Sequence, residues 1–353
     1  MIRGCLFTCL LGCVASGCIA YPYRGEIGDA RSLDFAGIDQ VEVETRNGAV
    51  EVLCREGAGS MSLDSRRHAR GVTEEEARTH AESIGILAER DPARPSLLRI
   101  TAQIPLGMDG RSPGCHFRLE MPRGANVLVR TRNGDIVMEG VRGSIDADTS
   151  NGKIEIEDVV GSVRGRTSNG AIRIEGARGD VDVQSSNGEV KITHVEAGTI
   201  SVATSNGRIE AESVSGAASL ETSNASISFQ AARLPSSPEV NAVTSNGSVT
   251  VEVPANVRAR VSLKTSNGHI SRDFGSAAVS GLETSRNKLE ADLNGGGGEI
   301  RARSSNGDIT FRASGAGARA GSPGTAGKNV AASSPIRSPA WRTASTAWSP
   351  PHR

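Results

Sequence analysis

Short runs in which apolar and polar residues alternate recur along the chain at a nearly constant interval. From residue 131 onward each run accompanies a corner phrase of the type Thr-Ser-Asn-Gly. The asparagines of this phrase, 18–22 residues apart, stand at 133, 151, 169, 187, 206, 224, 246, 267, 287 and 306. One earlier copy, Thr45-Arg46-Asn47-Gly48, lies before the array. Self-similarity at a fixed period indicates a repeat architecture, in which each unit stacks on its neighbours.

Apolar residues occupy the same positions in successive units. The third residue after the asparagine is aliphatic in nine of the ten units, and in the unit of Asn287 the second residue, Leu289, is aliphatic instead. This column contains Ile136, Ile154, Ile172, Val190, Ile209, Ile227, Val249, Ile270, Leu289 and Ile309. A second column, six residues before the asparagine, contains Val127, Ile145, Val163, Val181 and Ile200. Polar residues such as Asp146 and Lys153 lie between them, and this period of two predicts short strands with one buried face. Each unit is therefore a strand, an Asn-Gly corner, a second strand and a second corner near a glycine such as Gly143 or Gly161.

Two architectures satisfy this pattern. Asn-Gly between alternating strands is a strong hairpin signal, so an antiparallel meander is one of them. The other is a parallel β-solenoid of about ten to eleven coils, in which like residues form ladders from coil to coil. The apolar column continues at Ile227 and Leu289 although Ala225 and Lys288 replace the glycine, and this favours the wider corner of a solenoid. We therefore predict an all-β solenoid with a structural corner ladder that contains Asn133, Asn151, Asn169, Asn187, Asn206, Asn246, Asn267 and Asn306.

The same patterns set the expected domain limits. Residues 36–54 alternate like the repeats and are expected to form a first coil, with Val41, Val43, Val50 and Val52 facing inward. The solenoid domain is therefore expected to span 36–312, with the array at 123–312. Residues 18–35 are expected to be a linker. The segment 313–353 contains mainly Gly, Ala, Ser, Pro and Arg and no acidic residue, and such a composition predicts a disordered tail.

An insertion separates the first coil from the array. Thr73-Glu74-Glu75-Glu76 forms a capping box, which predicts a helical insertion over 73–90 that caps one end of the rod. Cys54 and Cys115 stand at the two edges of this insertion. An even pair in an exported protein suggests a disulfide, and two buried free thiols are the alternative.

The first 17 residues resemble a bacterial signal peptide. Arg3 supplies a positive start, residues 5–14 are apolar, and Ala15-Ser16-Gly17 precedes Cys18. Small residues before a cysteine resemble a lipobox, so Cys18 is the expected lipidation site. Leu11-Gly12-Cys13 is a rival site that would leave a short apolar stretch, and a plain cleaved signal peptide is the other alternative. Ile19 stands where an inner-membrane retention signal would have Asp, so outer-membrane anchoring is expected in a Gram-negative host.

Composition and motifs narrow the function classes. The 40 basic and 40 acidic residues cancel and only 3% of residues are aromatic, which argues against a nucleic-acid partner. The histidines share no metal-binding spacing, and no nucleophile elbow or phosphate loop occurs. Carboxylate pairs such as Asp146/Asp148 and Glu155/Glu157 are typical of solvated strand faces. We expect no catalytic residues, no metal and no cofactor.

The recurring Thr-Ser-Asn-Gly-x-Ile, the lead-in Met121-Pro122-Arg123-Gly124 and the helical insertion together resemble the bacterial DUF4097 family of β-strand repeat proteins. The resemblance covers residues 36–312. It implies a right-handed, β-helix-like fold at the cell envelope, brings no catalytic residues, and carries the family's usual label of candidate adhesin. Ala225 and Lys288 depart from the family's regular pattern.

The leading hypothesis is a non-enzymatic lipoprotein, held to the membrane by a lipid anchor, that acts as a surface-binding or structural module. Small inward residues such as Ala147 and Gly165 leave a narrow interior, so the partner, an envelope protein or a glycan, would bind outside. One alternative is a polysaccharide-acting β-helix enzyme, which needs acids and an arginine clustered in one groove. The other is a self-assembling envelope scaffold.

Overall fold

The fold is built almost entirely from strands. The structure, a computed structural model, describes residues 21–57 and 59–314. These residues form 26 strands and one helix, so the all-β prediction is confirmed. The predicted signal peptide at 1–17, the lipidation site Cys18 and the tail from residue 315 onward lie outside the described residues.

Eight elements precede the repeat array. They are β1 (Tyr23–Leu33), β2 (Gln40–Glu44), β3 (Val50–Arg55), β4 (Met61–Gly71), α1 (Glu74–Ser83), β5 (Gly85–Arg90), β6 (Leu97–Gln103) and β7 (Gly114–Pro122). β1 pairs antiparallel with β4 from Tyr23 opposite Gly71 to Leu33 opposite Met61. The predicted linker at 18–35 is therefore wrong from Tyr23 onward. Because most side chains of β1 are polar and only Gly25 is buried, the segment lacks the alternation that marks the other strands.

The helical insertion is shorter than the predicted 73–90. The N-cap prediction holds, since the Glu76 amide donates a hydrogen bond of 3.1 Å to the Thr73 hydroxyl. The helix nevertheless ends at Ser83, and residues 85–90 form β5, which pairs antiparallel with β6.

Strands cover the N-terminal edges of the sheet. β5 pairs with β6, while β4 pairs antiparallel with β7 and carries β1 on its other side. α1 packs against β1 and β4 through the buried Ala77 and Ala81, and a Cβ atom at Gly25 or Gly71 would overlap the backbone of Ala77. The prediction that the helix caps one end of the rod is therefore wrong, because strands β5, β4 and β1 cover the sheet edges there. Only a strand can pair with the exposed amides and carbonyls of a sheet edge.

The array forms parallel pairs between successive repeats. Its strands are β8 (Asn126–Arg130), β9 (Ile136–Glu139), β10 (Ile145–Thr149), β11 (Ile154–Val160), β12 (Val163–Thr167), β13 (Ile172–Arg178), β14 (Val181–Ser185), β15 (Val190–Thr193), β16 (Glu196–Ala203), β17 (Ile209–Thr222), β18 (Ile227–Arg233), β19 (Glu239–Thr244) and β20 (Val249–Pro254). Ile154 stands in parallel register with Ile136 on one side and Ile172 on the other. The array is therefore not the antiparallel meander that the Asn-Gly corners also allowed.

The last elements return the chain into the stack. They are β21 (Ala259–Thr265), β22 (Ile270–Asp273), β23 (Val279–Thr284), β24 (Lys288–Leu293), β25 (Gly298–Ser304) and β26 (Ile309–Ser314). β23 and β24 form an antiparallel pair, and β24 pairs antiparallel with β21. Leu289 is consequently buried opposite Leu263 and does not continue the corner column in which the repeat count places it.

The parallel strands form two columns. Column A contains, in spatial order, β6, β2, β8, β10, β12, β14, β16, the second half of β17, β19, β25 and β21. Column B contains β7, β3, β9, β11, β13, β15, the first half of β17, β18, β20, β26 and β22. Each layer thus joins one strand of column A to one strand of column B.

At both ends the spatial order departs from the chain order. The pair β2–β3 lies between β6–β7 and β8–β9, and the pair β25–β26 lies between β19–β20 and β21–β22. The expectation that successive windings stack in sequence is therefore wrong at the two ends. There, the insertion and the β23–β24 hairpin carry the chain past a layer before it returns.

The core is a continuous set of inward aliphatic side chains. The predicted inward residues Val41, Val43, Val50 and Val52 are completely buried. Phe117, Phe229 and Phe311, all in column B, are the largest buried side chains. Full burial of a side chain of this size stabilises a fold by about 1.5–3 kcal/mol, so the stacked layers hold the structure together.

Candidate binding surface at the asparagine corner

The Asn-Gly corners align in one column along the stack. Each asparagine donates its side-chain amide to the side-chain oxygen of the preceding asparagine, over 2.6–2.9 Å. The spatial order of this ladder is Asn47, Asn133, Asn151, Asn169, Asn187, Asn206, Asn224, Asn246, Asn306 and Asn267. The order places Asn306 before Asn267 because β25–β26 is inserted between the neighbouring layers. The amide of Asn47 ends the ladder on the carbonyl of Pro113.

The residue two positions before each asparagine fastens one turn to the next. Thr167, for example, is buried, donates its hydroxyl to the carbonyl of Gly152 over 3.0 Å, and accepts the amide of Gly170 over 3.1 Å. The same hydroxyl-to-carbonyl bond recurs at Thr131, Thr149, Ser185, Thr204, Thr222, Thr244, Thr265 and Ser304. Such a bond contributes about 1 kcal/mol, and its loss leaves a buried carbonyl unsatisfied.

The corner glycine is needed because two backbones touch there. A Cβ atom at Gly170 would overlap the carbonyl of Gly152, and the overlap recurs at Gly134, Gly152, Gly188, Gly207, Gly247, Gly268 and Gly307. None of these glycines has a positive φ, so their role is close approach and not backbone flexibility. At residue 225 the position holds Ala and the ladder still passes through Asn224.

An exposed serine separates the buried threonine from the asparagine in most corners. The exposed serines are Ser168, Ser186, Ser205, Ser223, Ser245, Ser305 and Ser266, and Ser150 at the same position is half-buried. Four of them line a shallow groove of about 390 Å³, together with Asp148, Arg166 and Gln184 from the outer face of column A. A hydroxyl both donates and accepts hydrogen bonds, so this column offers a regular polar surface along the stack.

A larger groove lies at the N-terminal end of the same corner. It has a volume of about 990 Å³ and runs between the β6–β7 loop, residues 104–113, and the first corners, where Arg46 and Arg132 replace the serine. We call it the N-terminal groove. Leu106 in its loop is fully exposed.

The second corner carries a groove of about 630 Å³ in which most of the charges are paired. Arg142 lies 3.5 Å from Asp158, and Arg178 lies 3.6 Å from Glu196. One position of this corner has a positive φ in successive turns, at Gly140, Asp158, Gly176, His194 and Ser213. This corner is therefore a repeated turn whose charges largely compensate one another.

The outer strand faces also pair their charges between turns. Arg164 lies 3.4 Å from Asp182, and Lys191 lies 3.1 Å from Glu210, which raises the pKa of the lysine and lowers that of the glutamate. Burial and the neighbouring Glu175 and Glu139 raise the pKa of Glu157.

The structure separates the two carboxylate pairs noted in the sequence. Asp146 and Asp148 lie on β10 in column A, whereas Glu155 and Glu157 lie on β11 in column B. Among residues 21–57 and 59–314, no three His, Cys, Asp or Glu side chains form a group that could hold a metal ion.

The disulfide expected between Cys54 and Cys115 is contradicted. Both cysteines are free and buried. Cys54 stands opposite Met121, and Cys115 lies six positions earlier on that strand, which is about 20 Å along a strand. A bridge requires Cα atoms within about 7 Å. Burial raises the pKa of Cys54 to about 11 and that of Cys115 to about 12.

These features define a repeat-built β protein whose exposed corner is a regular polar surface. The family profile described as Toastrack DUF4097 matches residues 119–312, more than half of the chain. The chain belongs to this family.

Two solved structures are similar to the chain at low sequence identity. One is a candidate adhesin from Bacteroides fragilis, with 12% identity, a TM-score of 0.36, and coverage of 81% of this chain and 96% of that one. The other is a candidate cell adhesion protein from Clostridium sporogenes, with 9% identity, a TM-score of 0.21, and coverage of 82% and 100%. No curated protein matches the chain in sequence. Within the described residues, no helix has the length and apolar character that a membrane crossing requires.

Sequence reasoning missed two members of the ladder and the N-terminal groove. Asn47 belongs to the early Thr-Arg-Asn-Gly copy outside the array, and Ala225 interrupts the motif that would mark Asn224. The groove combines a loop with corners that are 86 residues apart in sequence, Arg46 and Arg132. The Thr-Arg-Asn-Gly phrase that both corners share is the sequence feature that could have identified the groove.

We predict that Gly170→Ala destabilises the protein by at least about 2 kcal/mol, because the added methyl group forces two packed turns apart. Gly59→Ala is the matched control, since a Cβ atom there meets nothing within 4 Å. Thermal and denaturant unfolding of both variants measure the difference. Equal stability of the two variants would contradict the backbone contact.

Proposed function

We propose that the chain is a non-enzymatic lipoprotein of the bacterial cell envelope that binds an envelope protein or a glycan along its asparagine corner. In this proposal Cys18 carries the lipid and anchors the protein in the outer membrane. The stacked strand pairs are about ten to eleven coils of a right-handed solenoid, which presents the corner as one continuous strip.

The observation that carries the proposal is the column of exposed serine hydroxyls beside the asparagine ladder. Ser168, Ser186 and Ser205 are exposed on successive turns, which are about 4.8 Å apart. An extended ligand could form one hydrogen bond with each turn. Because each such bond contributes only about 1 kcal/mol, useful affinity requires contact with several turns.

The distribution of charge supports binding over catalysis. Glycoside cleavage needs two carboxyl groups on either side of one bond, whereas the two carboxyl groups of each pair lie on the same outer face of a single strand. A self-assembling scaffold receives less support, because β5 and the β4–β1 pair already cover the N-terminal sheet edges on which another copy would stack.

We expect the double substitution Ser168→Glu/Ser186→Glu to lower retention of purified envelope material on the immobilised protein by at least about tenfold. Either single substitution is expected to reduce retention far less, since the contact extends over many turns. The matched control is Ser201→Glu/Ser219→Glu, a neighbouring pair on the outer face of column A, which should bind like the wild type. The proposal fails if both double variants bind equally, or if one single substitution abolishes binding.

We expect Cys18→Ser to abolish incorporation of labelled palmitate and to release the protein from the membrane fraction, because the substitution removes the thiol to which the lipid is attached. Metabolic labelling followed by separation of inner and outer membranes measures both effects. Cys13→Ser is the control, and it should leave labelling and outer-membrane location unchanged. Labelling that persists in Cys18→Ser would overturn the assignment of the anchor.

A further inference from the structure

The N-terminal groove differs from the rest of the corner by two arginines. Eight of the corners in the ladder carry serine before the asparagine, whereas the first two carry Arg46 and Arg132. The amide of Arg132 lies 3.2 Å from the carbonyl of Arg46, so the two residues occupy adjacent turns. The backbones of these two exposed arginines are therefore about 5 Å apart.

Two like charges on adjacent turns favour an anionic group between them. Adjacent cations repel each other, by about 1 kcal/mol at 4 Å even in water. Within the part of the chain that the structure describes, neither Arg46 nor Arg132 forms an ion pair or a side-chain hydrogen bond. The neighbouring arginines do have partners: Arg130 lies 3.5 Å from Glu42, and Arg111 lies 3.6 Å from Glu76.

The groove around the two arginines is held in shape from both sides. The Arg111 side chain donates to the carbonyl of Gly107 over 2.8 Å, and its guanidinium lies 5.1 Å from the ring centre of Tyr21. Asn47 donates its amide to the carbonyl of Pro113 over 2.8 Å, which fastens the loop to the ladder. A preformed groove binds with a smaller ordering cost than a flexible one.

The remaining groups of the groove suit a sugar. Glu44 and Asp109 line it without pairing to Arg46 or Arg132, and carboxylates accept hydrogen bonds from sugar hydroxyls. The fully exposed Leu106 offers an apolar contact at the groove's rim. A guanidinium binds a carboxylate or a phosphate through two parallel hydrogen bonds.

We propose that the N-terminal groove binds the anionic group of an acidic glycan between Arg46 and Arg132. The anion is a uronate carboxylate or a sugar phosphate, which share this recognition chemistry. The inference rests on the proposed role as a binding protein and adds a ligand class to it. The Ser168 and Ser186 variants leave the groove untouched, so the two proposals fail separately.

The test is calorimetric titration of the detergent-solubilised full chain with trigalacturonate, with inorganic phosphate and with neutral maltotriose. Arg46→Ser and Arg132→Ser restore the Thr-Ser-Asn-Gly phrase on which the other corners fold, so both variants are expected to keep the fold. Each is expected to weaken binding of the anionic probe by at least about tenfold, and the double variant to abolish it. Arg286→Ser, in the β23–β24 turn outside the ladder, is the matched control and should bind like the wild type.

The probes distinguish the two sources of the anion. Saturable binding of trigalacturonate that depends on both arginines supports a uronate, and such binding of phosphate alone supports a phosphorylated glycan. Arg132→Lys keeps the charge and should recover part of the affinity that Arg132→Ser loses. Unchanged binding in the double variant, tighter binding of maltotriose than of both anions, or no saturable binding of either anion would overturn the proposal.

Discussion

The structure depends on direct backbone contact between successive turns at the asparagine corner. A Cβ atom at the corner glycine has no space there, so the next turn must stack in register or leave the column. The buried threonine hydroxyl then reaches the carbonyl below it, and the asparagine amide reaches the next asparagine. In-register stacking in turn places like residues above one another, which unites the apolar columns into a single core and the serines into a single exposed strip.

The same contact explains how the two ends are built. A terminal layer exposes unpaired amides and carbonyls, which is a liability for any sheet. At both ends the chain turns back, so that β2–β3 and β25–β26 each lie between two other layers. Antiparallel strands then cover β6, β7 and β21. The N-terminal return also places the loop 104–113 over the first corners and so creates the groove that holds Arg46 and Arg132.

Local repetition made the repeat, the inward columns and most of the ladder predictable from the sequence. The order of layers at the ends was not, because pairing between β25 and β19 joins residues about 60 positions apart with no local signature. β1 escaped prediction because its side chains are mostly polar and its partner β4 supplies the pairing. The disulfide was mispredicted because position in the sequence, at the two edges of the insertion, does not show that strand register separates Cys54 from Cys115. The repeat in the sequence predicts the column of exposed serines, whereas the N-terminal groove can be recognised only from the three-dimensional structure.

Cross-linking between turns tests the stacking order most directly. Thr250 and Thr310 stand opposite each other on β20 and β26, and Thr310 stands opposite Ser271 on β22, so one layer separates Thr250 from Ser271. With Cα atoms within disulfide range, Thr250→Cys/Thr310→Cys should oxidise to an intramolecular bridge in the folded protein, and Thr250→Cys/Ser271→Cys should not. A bridge in the second pair and none in the first would show that the layers follow the chain order, and would contradict the stacking described here.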